Sequence, residues 1–320
     1  MKAKKIITVD LGGTKILSAI LNSENEIIER VKLPTNYTNG ADVIVKDIIS
    51  SINELLSKTG TDQKDLRAVC LGVPGTVNPE TGIIGNAPNL KIKNYNIKRS
   101  IQKHIEVPVL IENDVNLAGL GIKLFEYEDK LKNALVVFVG TGIGGALIFN
   151  GKMYRGSSFY AGEIGHIKVN DKGEISANGK ATFEQIASRT AVVKSIQKDI
   201  KKGETSVLSK LVPKGKRIKS KALQTSVKKR DKVVTKHINN SCRIIGSVLG
   251  SLTTLLNIDT IVLGGGVVEA LGDYMLPKIE KSFAKSVLPE PGKIVKIKIT
   301  KLGDDAPLFG GLALADEFLA

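Results

Sequence analysis

Short apolar runs separated by turn-forming residues open this chain. Residues 6–9 form a β-branched run that ends at Asp10, and two further strands are expected at residues 16–21 and 27–33. Residues 43–56 then carry apolar side chains at the three- and four-residue spacing of a helix. The pattern predicts a β-meander with a glycine turn at its first corner, followed by a helix.

The rest of the chain alternates between the two periods. Strands are expected at residues 68–73, 107–111, 135–139, 146–149 and 261–263, and helices at residues 97–104, 238–256 and 308–319. A strand, a glycine-rich turn and a second strand return about 130 residues after their first appearance, a period too long for a solenoid repeat. We therefore expect a duplicated domain, namely two α/β halves with a cleft between them.

Composition changes this picture little, whereas charge adds a question. No apolar run in the 320 residues reaches the ~18–20 needed to span a bilayer, and Cys70 and Cys242 sit in apolar contexts without disulfide or metal spacing. A cytoplasmic protein without a membrane partner is expected.

The formal net charge is +15. Residues 194–236 hold 15 Lys/Arg against Asp199, Glu204 and Asp231, a local net charge of +12. This segment, which lacks the aromatic faces of a nucleic-acid platform, is interpreted as a solvated helical surface, with a weak polyanion-binding face as the alternative.

Two glycine corners are candidate phosphate sites. Gly12, Gly13, Thr14 and Lys15 offer backbone N–H groups, a hydroxyl and an ammonium, and Asp10 could hold Mg²⁺ directly or through water. For any single glycine a tight hairpin turn is the favoured explanation, but two such corners at matching positions of a repeat are harder to explain in that way. The second corner, residues 140–145, matches G-x-G-x-x-G, but an apolar strand rather than a helix follows it, which excludes the dinucleotide fingerprint. No P-loop motif occurs.

Two further clusters carry acid–base groups. Asp114 ends Glu112-Asn113-Asp114 behind a predicted strand, where a carboxylate could accept the proton of a sugar hydroxyl during phosphoryl transfer. A helix N-cap is the equal alternative. Glu163 and His166 lie three residues apart among glycines, and Glu184 opens the next helix. Carboxylates and an imidazole suit the hydroxyls of a polyol.

Taken together, these motifs resemble the ROK family of sugar kinases, and in particular its bacterial-type glucokinases. The resemblance covers essentially the whole chain and rests on residues 10–15, 72–75, 86–90, 112–116, 140–145, 162–166 and 263–267. It implies a two-domain α/β fold of the actin-like ATPase (ribonuclease H-like) class, with a duplicated βββαβα core and an interdomain cleft. Residues 1–115 would form the small domain, completed by a helix at 307–320, and residues 116–306 the large one.

The resemblance also implies a role for each matching position. Asp114 would be the general base on a hexose 6-hydroxyl, and Mg²⁺ would bind near Asp10. The implied sugar ligands are Gly75, Asn89, Asn113, Asp114, Glu163, His166 and Glu184. The implied ATP ligands are Asp10, Gly12, Gly13, Thr14, Lys15, Gly140, Thr141, Gly142, Gly264, Gly265 and Gly266. Closure of the halves would exclude water from the reaction.

One departure from the family concerns metal. The family commonly carries a zinc-binding cysteine cluster after the His, whereas residues 176–184 of this chain hold no Cys. No zinc is expected, and the loop that carries Glu184 must be fixed by packing. Many members of the family carry an added DNA-binding helix-turn-helix domain at the N-terminus. Because the first strand of this chain starts near residue 5, we expect no such domain and no nucleic-acid partner. The resemblance favours a homodimer.

Three functions stay open at this point. Glucose phosphorylation by ATP is favoured, with an N-acetylglucosamine or N-acetylmannosamine kinase and a non-catalytic sugar-binding regulator as alternatives. Intact Asp114 argues against the regulator.

Overall fold

The computed structural model describes residues 4–213 and 215–319. The strands in this part of the chain are β1 (Lys5–Leu11), β2 (Lys15–Leu21), β3 (Ile27–Pro34), β4 (Leu66–Val73), β5 (Thr76–Asn78), β6 (Ile83–Ala87), β7 (Ile92–Asn96), β8 (Val109–Asn113), β9 (Ala134–Val139), β10 (Ile143–Phe149), β11 (Lys152–Tyr154), β12 (Lys168–Val169), β13 (Ala181–Thr182), β14 (Thr260–Gly264) and β15 (Lys296–Ile299). The helices are α1 (Ala41–Thr59), α2 (Ile97–Gln102), α3 (Asp114–Gly121), α4 (Phe183–Ala187), α5 (Arg189–Lys201), α6 (Leu208–Leu211), α7 (Ser220–Lys228), α8 (Lys232–Leu256), α9 (Gly266–Phe283), α10 (Pro289–Ile294) and α11 (Ala306–Leu319). Within these ranges, no helix combines the length and apolar content that a membrane span requires.

The chain divides into two compact units. The first contains the described residues of 4–131, 151–161 and 304–319, and the second those of 132–150 and 162–303. This division differs from the predicted 1–115 and 116–306 split because it keeps all of α3 and the segment 151–161 with the first unit. It also assigns α11 to the first unit.

The first unit is built on a sheet in the order β3-β2-β1-β4-β8. Strands β1, β2 and β3 pair antiparallel, whereas β4 pairs in parallel with both β1 and β8. The ends of β1, β4 and β8 therefore lie at the same edge, where parallel sheets place their functional groups. A smaller antiparallel sheet, β5-β6-β7, follows β4.

Both faces of β1 are buried, as its nearly continuous apolar run predicts. Ile7, Val9 and Leu11 belong to a core cluster with the apolar face of α1, whose residues Ile44, Ile48, Ile52 and Leu55 are fully buried. On the other face, α11 packs against β1, β4 and α3. The approach is close, because a Cβ added at Gly311 would lie 1.9 Å from Thr8 Oγ1 and one at Gly310 only 1.8 Å from the Leu117 carbonyl oxygen.

The second unit repeats this arrangement, which confirms the predicted duplication. Within the unit the strand order is β10-β9-β14-β15, with β9 and β10 antiparallel and β14 parallel to both neighbours. The long helix α8 covers the expected residues 238–256 and begins earlier, where Asp231 caps it by accepting from the Val234 N–H at 3.0 Å. Cys70 and Cys242 are buried free thiols, as predicted.

Three element boundaries were wrong. Strand β10 starts at Ile143 rather than at residue 146, because residues 143–148 pair regularly with β9, so the turn itself is only Gly140–Gly142. Helix α2 ends at Gln102 instead of at residue 104, and β8 starts at Val109 rather than at residue 107, after Pro108.

The basic segment, residues 194–236, is not a solvated surface throughout, since Leu208, Leu223, Val233 and Val234 within it are buried.

Candidate active site

The first glycine turn joins β1 to β2 at the edge where the parallel strands end. Gly12 N donates to Lys15 O at 2.9 Å, which closes the hairpin, and Thr35 Oγ1 donates to Gly12 O at 2.7 Å. Gly13 approaches another loop closely, because an added Cβ would lie 3.3 Å from Cβ of Asn89. Lys15 Nζ pairs with the Asp304 carboxylate. Gly12 therefore lies in a tight hairpin turn, and Gly13 lies where the backbone closely approaches a second loop.

Asp10 lies in an acidic environment beside this turn. Burial raises the pKa of Asp10 from its ordinary value to about 7. The negative charges of Asp114 and Asp304 also raise this pKa, while Lys15 opposes them. A cation placed here would relieve the repulsion between the carboxylates, and one or two carboxylates with water and phosphate oxygens are the usual ligands of Mg²⁺. The donor set therefore fits Mg²⁺.

Asp304 was missed from the sequence. It belongs to a one-turn helix, Gly303–Asp305, that immediately precedes α11. The Asp304-Asp305 pair before the final apolar helix was the available signal, since acidic residues favour helix N-termini. That signal indicates a helix start and nothing more, because the partners of Asp304 lie almost 300 residues earlier in the chain.

Asn113, rather than Asp114, is the main cap of α3. Its Oδ1 accepts from the N–H groups of Val115 at 2.9 Å and Asn116 at 3.0 Å, while its Nδ2 donates to Gly75 O at 3.0 Å. Asp114 is the first residue of α3, half-buried, and its Oδ1 also accepts from the Val115 N–H at 2.9 Å. Asp114 therefore contributes to the cap alongside Asn113.

A buried network of charged side chains holds the start of α3 in place. Glu112 is 1% exposed, and its Oε1 accepts from Asn113 N at 2.9 Å and Asn116 Nδ2 at 3.1 Å. Its Oε2 accepts from Arg155 Nε at 2.6 Å. The same guanidinium donates two bonds to Glu317, at 2.7 and 2.9 Å. Arg155 therefore fixes the residue two positions before Asp114, a role that no spacing in the sequence indicated.

Gly75 and Asn89 sit on loops of the same unit. Gly75 has a left-handed φ of 86°, and an added Cβ would lie 2.3 Å from the Asn86 carbonyl oxygen, so glycine is required there. Asn89 lies in the one-turn helix Pro88–Leu90, whose Leu90 anchors it in the core. The first unit thus collects Asp10, Gly12, Gly13, Thr14, Lys15, Gly75, Asn89, Asn113 and Asp114 from the predicted set.

The second unit collects the two glutamates and the histidine. His166 Nε2 lies 3.7 Å from Glu163 Oε2, and the imidazole is 74% exposed. Glu184 Oε2 accepts from the Ile143 N–H at 2.9 Å, which ties it to the second glycine turn. Burial raises the pKa of Glu163; the His166 imidazole opposes this increase and the Glu184 charge adds to it. Glu163 therefore lies near both the His166 imidazole and the Glu184 carboxylate.

The loop without cysteines is fixed by packing and hydrogen bonds. Strands β12 and β13 pair across it, and Phe183 is fully buried. Thr182 and Gln185 form a reciprocal capping box that starts α4, with Glu184 as its second residue. In the described residues, no group of three or more His, Cys, Asp and Glu side chains is arranged to hold a metal ion. The expectation that zinc is absent stays a prediction.

The remaining predicted residues lie at the ends of β9 and β14 in the same unit. Gly142 contacts Glu184 so closely that an added Cβ would lie 2.1 Å from Oε2, whereas Gly140 has open space at that position. Gly265 has a φ of 85°, and Gly266 begins α9. Thr141 Oγ1 accepts hydrogen bonds from Arg189 and Arg217, two residues that the motifs did not identify.

Comparison with known proteins extends over both units. The sequence profile of the ROK family matches residues 6–317. The glucokinase of Halalkalibacterium halodurans is 31% identical over 313 residues, which cover 97% of this chain and 94% of that protein. The xylose repressor of Caldicellulosiruptor bescii is 25% identical over 310 residues, covering 97% of this chain and 77% of the repressor.

A solved structure matches at the same length. The crystal structure of a ROK family glucokinase from Streptomyces griseus, in complex with glucose and AMPPNP, superposes with a TM-score of 0.83 at 28% identity. The match covers 98% of this chain and 99% of that one. It confirms the predicted fold class.

Proposed function

Because this chain belongs to the ROK family, we propose that it is a sugar kinase that transfers the γ-phosphoryl group of ATP to the 6-hydroxyl of a hexose, with glucose as the favoured acceptor. A glucokinase relative and a structural neighbour that binds glucose and the ATP analogue AMPPNP support this proposal. The observation that carries it is the edge of the first sheet, where β1 and β8 end together. Asp10 lies near the end of β1, the glycine turn follows β1, and Asp114 follows β8.

Asp114 is the proposed general base. Its carboxylate accepts the proton of the hexose 6-hydroxyl as that oxygen attacks the γ-phosphorus, while the bond to the β-phosphate oxygen breaks and ADP leaves with the electron pair. Positioning is the main requirement of such a reaction, because the transition state is loose. The Asn113 cap and the Glu112–Arg155 pair satisfy that requirement by fixing the start of α3.

Stabilisation of the negative charge on the phosphates is the second requirement. We assign phosphate contacts to Gly12, Gly13, Thr14 and Lys15 in the first unit and to Gly140, Thr141 and Gly142 in the second, and the adenosine side to Gly264, Gly265 and Gly266. Asp10 would hold Mg²⁺, directly or through water. When bound, the metal neutralises charge on the phosphate oxygens.

Recognition of the sugar is assigned to Glu163, His166 and Glu184, with Asn89, Asn113 and the backbone of Gly75. The exposed imidazole and the half-buried glutamates offer both acceptors and a donor to ring hydroxyls. One carboxylate oxygen of Glu184 accepts from the Ile143 N–H, so the other oxygen is the one that would bind sugar.

A sugar-responsive regulator is the second candidate, because a xylose repressor matches 97% of this chain. Asp114 favours the kinase, since a regulator that only binds sugar has no use for a base. The predicted homodimer and cytoplasmic location stay predictions.

The test is ADP release with Mg²⁺-ATP across glucose, mannose, fructose, glucosamine, N-acetylglucosamine and N-acetylmannosamine. We expect glucose to give the highest kcat/KM. Asp114→Asn should lower kcat by about 10²–10⁴ with sugar affinity kept, whereas Asp62→Asn, on an exposed loop, should change neither. A folded protein that turns over none of these sugars yet binds one of them would support the regulator instead.

A further inference from the structure

The second glycine turn carries a pair of cations. Arg189 Nη2 donates to Thr141 Oγ1 at 2.6 Å, and Arg217 Nη2 donates to the same oxygen at 3.0 Å. Arg189 is fixed to the turn by its backbone, whose N–H donates to Gly140 O at 3.0 Å. Arg217 comes from the basic segment and is exposed. Two guanidinium groups thus converge on one uncharged oxygen atom that faces solvent.

This arrangement concentrates positive charge. An arginine side chain stays protonated, so the repulsion within the pair cannot be relieved by loss of a proton. Burial lowers the pKa of Arg189, and the charge of Arg217 lowers it further. In the part of the chain that the structure describes, neither guanidinium forms an ion pair with an Asp or Glu. The pair is therefore arranged to receive an anion.

We propose that Arg189 and Arg217 clamp the polyphosphate chain of the phosphoryl donor at the Thr141 turn. The proposal rests on the proposed kinase function and names donor-binding residues for it. The chemistry it requires is a linear di- or triphosphate, which a nucleoside triphosphate and inorganic polyphosphate share.

Three features of the turn select this ligand. Each guanidinium presents a planar fork that matches phosphate oxygens in a bidentate manner. The Thr141 hydroxyl accepts two hydrogen bonds from the arginines, so its own hydrogen is left to be donated to a ligand. At Gly140 an added Cβ would meet nothing within 4 Å, which leaves the backbone open to a ligand. Two cations and an open backbone fit a chain of phosphates better than a single carboxylate.

The clamp also gives one residue of the basic segment a specific purpose. Arg217 lies on the loop before α7, and Ser220 at the start of α7 accepts from Arg189 Nη1 at 3.5 Å. The basic segment therefore contacts the turn directly through the Arg217 side chain, rather than acting on it only through long-range electrostatic attraction. Lys210, on α6 of the same segment, is exposed and provides a control of equal charge.

The test is calorimetric binding of ATP, ADP, AMP and inorganic tripolyphosphate to the full chain, without sugar. Arg217→Gln should weaken ATP and tripolyphosphate binding about tenfold, and the double variant with Arg189→Gln about 100-fold, as expected for charge-assisted hydrogen bonds. AMP affinity should change less than twofold. Arg217→Lys should recover only part of the loss because it lacks the fork, and Lys210→Gln should bind all four ligands as the parent does.

The outcomes are distinguishable from those of the proposed function. Unchanged ATP and tripolyphosphate affinity in a folded Arg217→Gln variant would overturn the clamp, as would equal losses in Lys210→Gln. Loss of binding in the arginine variants, together with no turnover of any hexose, would support the clamp and reject the kinase. Equal affinity for tripolyphosphate and ATP would indicate inorganic polyphosphate as the source, and much tighter binding of ATP would indicate the nucleotide; both support the clamp.

Discussion

Gly142 controls the position of Glu184, and replacing it with alanine tests whether that glutamate binds sugar. An ideal Cβ at residue 142 would lie 2.1 Å from Glu184 Oε2 and 2.9 Å from its Cδ. The side chain is the part that can move, so the carboxylate must leave the Ile143 N–H, which it accepts at 2.9 Å. Gly142→Ala therefore removes a charge-assisted hydrogen bond without touching Glu184 itself.

The change in the free energy of unfolding follows from the lost hydrogen bond and from the replacement of glycine by alanine. A hydrogen bond to a charged partner contributes about 1.5–3 kcal/mol, whereas replacing glycine by alanine restricts the unfolded chain and returns about 0.4–1 kcal/mol. The free energy of unfolding should thus fall by about 1–2 kcal/mol. Sugar affinity should fall about tenfold or more, since each 1.4 kcal/mol of lost binding energy is a factor of ten.

Gly140→Ala is the matched control because it makes the same substitution two residues earlier in the same turn. Its Cβ would meet nothing within 4 Å, and its backbone is not in the left-handed region. Urea unfolding and calorimetric titration with glucose, both without nucleotide, measure the two effects. If Gly142→Ala retained the glucose affinity and stability of the parent, or if Gly140→Ala lost as much, the inferred link between Gly142 and Glu184 would be refuted.

Two other predictions concern the first unit. The folded pKa of Asp10 lies near 7 against an ordinary value of 3.8, so the folded state binds the proton more tightly and the stability of the parent should fall as pH rises from about 4 to about 7. Asp10→Asn removes this loss, and its stability relative to the parent should grow by up to about 4 kcal/mol between pH 4 and pH 8 without Mg²⁺; a flat difference across that range in urea unfolding would contradict the assigned pKa. Gly310→Ala should cost about 3 kcal/mol or more, because its Cβ would lie 1.8 Å from the Leu117 carbonyl oxygen and α3 and α11 would have to separate. Gly266→Ala, whose Cβ would come no nearer than 3.8 Å to Ser220 Oγ, should leave stability unchanged or slightly higher, and equal losses in the two variants would show that crowding is not the cause.

The sequence predicted the elements well because their periodicity is local. The run at residues 6–9 and the helix at 43–56 need only their own side chains to be recognised, and both lie within β1 and α1. The boundary error at β10 has the same origin, since Ile143, Gly144 and Gly145 resemble a turn in composition and form a strand only through pairing with β9.

The site was less predictable because its side chains act over long separations. Spacing alone left Asp114 between cap and base, and only the hydrogen bonds of Asn113 show which side chain caps α3. Asp304, Arg155 and Arg217 reach their partners through folding and belong to no motif. Charge patterning did indicate a polyanion as one alternative for the basic segment, but it could not indicate which of its cations faces the glycine turn.

The position of α11 has a consequence for how the chain folds as it is synthesised. Strand β8 completes the sheet of the first unit at Asn113, yet the helix that covers one face of β1 and β4 starts at Ala306. At 5–20 residues per second, roughly 10–40 s of translation separate the two events. Throughout that interval the face of β1 and β4 that α11 covers lacks this helix, while the second unit emerges as a nearly continuous stretch. The unit whose translation begins first is therefore also the one whose last element is translated last.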